Sequence, residues 1–243
     1  MKDFFNRHEK VALMFSGGRD SLACLHLMKD YLDKTILIWV NTGAAFPEII
    51  EMMKVIRSSV PNFLEVQTDQ PASIAKHGYP ADIVPISYSS YGQACTKSKP
   101  IKIRSYMDCC HDNFWKPADD IARKLGVTAI IRGQRSDEAH RSPFKSGDTF
   151  DGIEYYFPIK DWDNSKVTKF LEANNVEITE RLSMAHSSLD CWNCTAYCGD
   201  SKERMKYIKK FHPEKHKEVT SIIRQISQAV ALDMAGIHEI LEI

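Results

Sequence analysis

The chain has 243 residues, with 32 Lys and Arg against 32 Asp and Glu, 43% hydrophobic and 26% charged. These proportions exclude a disordered chain, a collagen-like chain and a polybasic nucleic-acid coat. Seven cysteines, spread along the chain, are too sparse for a secreted disulfide scaffold. Met1 to Lys10 is polar and of mixed charge, unlike a secretory leader. The longest apolar stretches, such as Thr35 to Val40, fall far short of the ~20 residues of a spanning helix. A cytoplasmic location with no membrane partner is the expectation.

In chain order, Val11 to Phe15 reads as a buried strand that stops at Ser16-Gly17-Gly18. A helix follows, with Leu22, Leu25, Met28 and Leu32 on one face. Thr35 to Val40 is a second buried strand. Pro47 opens a helix carrying Ile50, Met53 and Ile56. Phe63 to Val66 is a third strand. Strands alternating with helices predict parallel pairing in an α/β sheet. Gln70 to Pro100 loses the pattern and reads as irregular, a plausible lid over a ligand. A helix at about Pro117 to Leu125, a strand at Ala129 to Ile131, a hairpin at Thr149 to Phe157 and a helix at Asn164 to Ala173 come next. From about Lys202 the chain is helical, with Ile222, Ile223, Ile226, Val230 and Met234 as an apolar stripe.

The expected fold is a parallel β-sheet flanked by helices over residues 1–200, with a helical C-terminal extension over 201–243. The extension is open to packing on the main domain, to a homo-oligomer interface or to contact with a polymer; packing is expected. Residues 86–145 hold 11 Lys and Arg against 6 Asp and Glu. Such an excess suits an anionic nucleotide and extends to nucleic acid, or is a solvated face balanced elsewhere.

Two features carry chemistry. The first is Ser16-Gly17-Gly18-Arg19-Asp20-Ser21, between a buried strand and an amphipathic helix. Glycines let a backbone approach a ligand closely, and the helix start offers N–H groups and a positive dipole end to phosphate. The same residues also suit a tight turn capped by Asp20 or Ser21. The second is the tandem Cys109-Cys110 and, after eighty residues, Cys191-Trp192-Asn193-Cys194. Two pairs of thiolates are the ligand set of a [4Fe–4S] cluster. A zinc site, a redox dithiol and plain buried thiols are the alternatives.

Ser-Gly-Gly-x-Asp-Ser resembles the PP-loop of the adenine-nucleotide alpha-hydrolase superfamily, and it is not a Walker A pattern. Asn41-Thr42-Gly43-Ala44-Ala45-Phe46-Pro47-Glu48-Ile49 is similar to the Asp-Thr-Gly-x-x-Phe-Pro-Glu-Thr of phosphoadenosine-phosphosulfate (PAPS) and adenosine-phosphosulfate (APS) reductases. Asn41 stands for the Asp and Ile49 for the Thr. Gly133-Gln134-Arg135-Ser136-Asp137-Glu138 is similar to the family's Gly-x-Arg-x-x-Glu/Gln, while Arg141 lies one position short of its second Arg. The resemblance implies nucleotide binding by Ser16, Gly17, Gly18, Arg19, Asp20, Ser21, Thr42, Gly43, Gly133 and Arg135. Arg135 would also neutralise the reacting anion.

The iron–sulfur branch of this family carries Cys-Cys, a similar interval, then Cys-x-x-Cys followed by Thr, as Thr195 follows Cys194 here. The resemblance covers roughly residues 10 to 200. It implies a [4Fe–4S] cluster on Cys109, Cys110, Cys191 and Cys194 beside the sulfate or phosphate end of the nucleotide. One departure stands out. The reductases carry a C-terminal Glu-Cys-Gly-Leu/Ile-His whose cysteine attacks sulfur. Gly236-Ile237-His238 echoes it without the Cys. Cys24, Cys95 and Cys198 are the spare thiols, with Cys198 the candidate nucleophile.

The leading expectation is an enzyme of sulfonucleotide reduction or sulfur transfer that takes APS or PAPS, with a thiol reductant or sulfur-donor protein as partner. The alternative is an ATP-dependent adenylating sulfur-insertion enzyme acting on nucleic acid, with Mg2+ beside ATP. A non-catalytic nucleotide-binding iron–sulfur or zinc module is the third reading.

Overall fold

A strand with neighbours on both sides of a parallel sheet has no wet face, so it reads as a continuous apolar run. β1 (Val11–Met14) is such a strand: Val11, Ala12 and Leu13 have no exposed surface. It pairs in parallel with β2 (Thr35–Asn41) and with β6 (Ala129–Ile131). The computed structural model describes residues 1–96, 99–138, 142–180, 182, 190–199 and 202–242. These residues divide into two units, one of 1–41, 45–67 and 116–190, the other of 42–44, 68–115 and 191–243.

The first unit carries a six-stranded sheet in the order β3-β2-β1-β6-β8-β7, with β3 at Phe63–Gln67, β7 at Thr149–Phe150 and β8 at Ile153–Tyr156. Pairing is parallel throughout except between β7 and β8. Asp151 and Gly152 both have positive φ, 50° and 78°, as a two-residue hairpin turn of the right twist requires. Ala12, Ile38, Ile130, Ile153, Tyr155 and Phe157 form the core with Ala122 and Val127. The helices of this unit include α2 (Arg19–Leu27), α3 (Pro47–Ser59), α7 (Lys116–Lys124) and α8 (Asn164–Ala173). α1 (Lys2–Arg7) is absent from the sequence reading. Its polar residues hide two rings: Phe5 stacks on Tyr31 at 4.1 Å and Phe4 on Tyr156 at 4.2 Å.

The second unit corrects the reading of 70–100 as irregular. The segment holds α4 (Gln70–His77), β4 (Tyr79–Ala81), a 3-10 turn at Ile86–Tyr88 and α5 (Ser90–Cys95). β4 pairs in parallel with β5 (Ile103–Ser105). These elements are too short for a periodic signal, and side-chain caps start both helices. Asp69 accepts the Ala72 N–H at 2.9 Å and Ser89 accepts the Gly92 N–H at 3.0 Å. Lys97 and Ser98 lie outside the described residues.

After β5 come α6 (Tyr106–Cys110) and a π-helical turn at His111–Trp115. The unit is completed by α9 (Lys202–Phe211) and α10 (Pro213–Leu241). The apolar stripe of α10 packs as expected over part of its length. Ile226 and Ala229, with Ile222 and Val230, join Ala81, Tyr88, Ile101 and Ile103 in a second core, and Met234 is exposed.

Candidate functional site

In an open parallel sheet, ligands sit where the strand order reverses, beyond the C-terminal ends of the strands. Here the order reverses at β1: β2 and β3 extend one way, β6 and β8 the other. Ser16–Ser21 follows β1 and Gly133–Glu138 follows β6, so both loops leave the sheet at the reversal. They touch there. A Cβ on Gly133 would come within 2.7 Å of the Asp20 carbonyl carbon and 2.8 Å of its oxygen. Gly17 has φ +75°, the left-handed conformation that glycine adopts without strain. The serines brace the loop from within. The Gly18 N–H donates to Ser16 Oγ at 3.3 Å, and the Ser21 hydroxyl donates to the Gly18 carbonyl at 2.9 Å. Arg19 is turned outward to Asn164 Oδ1 at 3.1 Å.

The expected anion-binding Arg135 is buried among carboxylates. Its Nε lies 3.1 Å from Asp20 Oδ1 and 3.7 Å from Glu138 Oε1, and its Nη1 lies 3.1 Å from Asp137 Oδ2. Its own N–H donates to Glu138 Oε1 at 3.2 Å. Burial raises the Asp20 carboxyl above its ordinary value, against the pull of Arg135. Burial and the Asp20 charge push Glu138 up to about 7. Arg135 thus ties the loop after β6 to the Ser16–Ser21 loop, which the sequence reading missed. The Glu at the end of the matched motif was the signal. Arg141 lies outside the described residues. Cys24, on α2, is fully buried and held protonated by burial and the Asp20 carboxylate.

Part of the basic set of the middle third is paired with acids. Lys116 meets Asp120, Arg123 meets Asp151, Arg132 meets Asp119, and Arg104 meets Asp112.

Thr42 and Gly43, expected at the nucleotide, fall in the second unit together with both cysteine pairs. The buried Thr42 accepts the Cys191 thiol on its hydroxyl at 3.3 Å, and its carbonyl accepts the Gln70 N–H at 2.9 Å. Cys109 and Cys110 close α6, just before the π turn, a helix irregularity that recurs at functional sites. Asn113, in that turn, donates to the Cys109 carbonyl at 2.8 Å and lies 3.8 Å from its sulfur. Burial pushes the Cys109 thiol up, while the Arg104 charge pulls it down and Cys194 raises it.

Arg204 of α9 is buried and donates to the carbonyls of Cys194 at 3.0 Å and Ala196 at 3.3 Å, pinning the C-x-x-C loop. Thr195 donates to the Pro80 carbonyl at 2.6 Å. Arg104 was not singled out from sequence. Cys198, the candidate nucleophile, is exposed, yet burial of its sulfur and the Asp82 carboxylate push its thiol up, away from the reactive thiolate. Cys95 is exposed on α5.

Among the described residues, no three His, Cys, Asp or Glu side chains are grouped so as to hold a metal ion. The donor chemistry nevertheless suits a thiolate-bound group. Four thiols from two segments share a unit with the buried Arg104, whose charge favours a Cys109 thiolate, and with Arg204 on the Cys194 carbonyl. No helix among the described residues is long and apolar enough to cross a membrane.

Comparisons with known proteins agree with this layout. The family model described as phosphoadenosine phosphosulfate reductase domain matches residues 10–197. An adenosine 5'-phosphosulfate reductase of Neisseria meningitidis is 31% identical over 96 residues, 38% of each chain. The chain thus spans well under half of that relative. An adenosine 5'-phosphosulfate reductase of Burkholderia cepacia is 25% identical over 202 residues, 78% of this chain and 71% of the relative. Among solved structures, the phosphoadenylyl-sulfate reductase of Candida auris in its phosphate complex superposes with a TM-score of 0.52 at 17% identity. That superposition covers 75% of this chain and 81% of the other and speaks for a shared fold. A match that spans both the Ser16–Ser21 loop and the two cysteine pairs places the chain in the phosphoadenosine phosphosulfate reductase family.

Proposed function

We propose that the chain is a sulfonucleotide reductase-like enzyme that binds an adenine nucleotide on Ser16–Ser21 and holds a [4Fe–4S] cluster on Cys109, Cys110, Cys191 and Cys194. One observation carries the reading: the two cysteine pairs, eighty residues apart in sequence, fall in a single unit, where Tyr197, three residues after Cys194, reaches to 3.7 Å from the Cys110 sulfur. Ser16, Gly17, Gly18 and Ser21 supply the phosphate cradle at the sheet reversal, and Thr42 and Gly43 adjoin the cysteines. Arg135 holds Asp20 and, through it, the shape of the loop; an arriving anion competes with Asp20, Asp137 and Glu138 for its guanidinium.

When bound, the cluster would supply a redox-capable, charge-stabilising centre. Reduction converts APS or PAPS and two thiols into the nucleotide, sulfite and a disulfide. In this reading both thiols come from an external thiol reductant, with Cys198 as the alternative source of the attacking sulfur.

Anaerobic purification with iron and sulfide determination tests the cluster, and incubation with APS, PAPS and ATP in parallel tests the substrate. Sulfite release from APS or PAPS is the expected result. Pyrophosphate from ATP with Mg2+, and no sulfite, would replace it with the adenylating sulfur-insertion reading and a nucleic-acid acceptor. A colourless protein with one zinc, and no turnover, would leave a binding module.

A further inference from the structure

Tyr197 breaks a backbone rule. Its φ is +61°, in the left-handed region that crowds the Cβ of any bulky side chain against a carbonyl. The other described non-glycine residues with positive φ are Asp151, Asn175 and Glu242. One is in a hairpin turn and two follow helix ends, where the conformation has a local reason. Tyr197 has no such setting. It stands between Cys194 and Cys198, and a strained residue at such a place is a pointer to function.

Asp82 holds the strain. Its Oδ1 accepts the Tyr197 N–H at 2.8 Å and its Oδ2 accepts the Cys198 N–H at 2.9 Å. A left-handed residue in a turn lets successive N–H groups converge on one anion. The consequence lies at the far end of the side chain. The ring packs on Tyr106 at 4.5 Å between centroids, and the hydroxyl reaches to 3.7 Å from Cys110 Sγ. Either group can donate across this contact in the free chain; once the Cys110 sulfur has given up its proton, only the phenol can. The adjacent Cys109 has a different entourage, Asn113 and Arg104.

We propose that Tyr197 is a positioning residue for Cys110: its O–H donates to the Cys110 sulfur, and the Asp82 carboxylate aims it by holding the left-handed backbone. The inference rests on the reading of Cys110 as one of the four cluster ligands. A ligand sulfur that accepts a hydrogen bond gives less electron density to iron, and so makes the bound cluster easier to reduce.

Tyr197→Phe keeps the ring and removes only the hydroxyl. In the full chain before iron is added, the infrared S–H stretch that disappears in Cys110→Ser is expected to move in Tyr197→Phe and again in Asp82→Ala. A band that stays in place in Tyr197→Phe overturns the hydrogen bond. In the anaerobically reconstituted protein, Tyr197→Phe is expected to shift the cluster to a more negative potential while iron content and melting temperature hold. An unchanged potential at full iron content overturns the tuning role. A wild-type chain that takes up no iron removes the cluster reading, while the infrared comparison still decides the contact.

Discussion

Replacing Glu138 by Gln tests the electrostatics of the loop after β6 without any assumption about substrate. Glu138 faces Asp20, Asp137 and Arg135, and its side chain is 30% exposed. Its carboxyl rises from an ordinary 4.5 to about 7, with burial the main cause. At ~1.4 kcal/mol per pH unit, that rise sets a ceiling near ~3.5 kcal/mol on the cost of ionising Glu138 in the folded chain. Solvent screening of a side chain this exposed brings the figure to about 1–2 kcal/mol. The sign follows from linkage. Between pH 4.5 and about 7 the folded state holds a proton that the unfolded state has released. Stability therefore falls as pH rises through that window and stays at the lower level above it. Glutamine is never charged, and its carbonyl still accepts the Arg135 N–H. In urea titrations, Glu138→Gln should match wild type at pH 5 and exceed it by about 1–2 kcal/mol at pH 8. Titrating groups that do not face Glu138 cancel in the difference. Equal differences at the two pH values would refute the reasoning.

Gly133→Ala drives a methyl into the Asp20 backbone; overpacking of about 1–3 kcal/mol should lower the melting temperature and weaken adenine-nucleotide binding measured by calorimetry. Ile226→Ala empties a buried position of the second core and should cost about 2–5 kcal/mol in urea; a loss near zero would mean that α10 does not pack there. Arg104→Met removes the buried cation beside Cys109 and its ion pair with Asp112; iron retained after anaerobic gel filtration should fall, whereas full retention would show that the thiolates need no such charge. Cys198→Ser should keep sulfite release from APS, and its loss would restore Cys198 as the nucleophile.

Signals that are local in sequence were legible; signals made by tertiary contact were not. Val11–Met14, Ala129–Ile131, the hairpin and α8 could be read because burial on both faces, turn chemistry and helical spacing each leave a mark within a dozen residues. α1 could not, because two phenylalanines among charged residues acquire meaning only when Tyr31 and Tyr156 arrive to stack on them. The segment after Gln67 could not, because its short elements depend on the Asp69 and Ser89 caps and on β5 as a partner for β4. The same division runs through the site. Ser16–Ser21 and both cysteine pairs declare themselves by spacing. Arg135 declared itself as a cation, but its role depends on Asp20, Asp137 and Glu138, and so on which charge is left for a ligand once three carboxylates have closed on it. Arg104, Arg204 and Tyr197 carry no motif at all. Each matters through a single distance or angle: a guanidinium beside Cys109, a guanidinium on the Cys194 carbonyl, and a φ of +61° that turns a phenol toward Cys110. Spacing in the sequence names the ligating atoms; what tunes them is set by residues chosen for where the fold puts them.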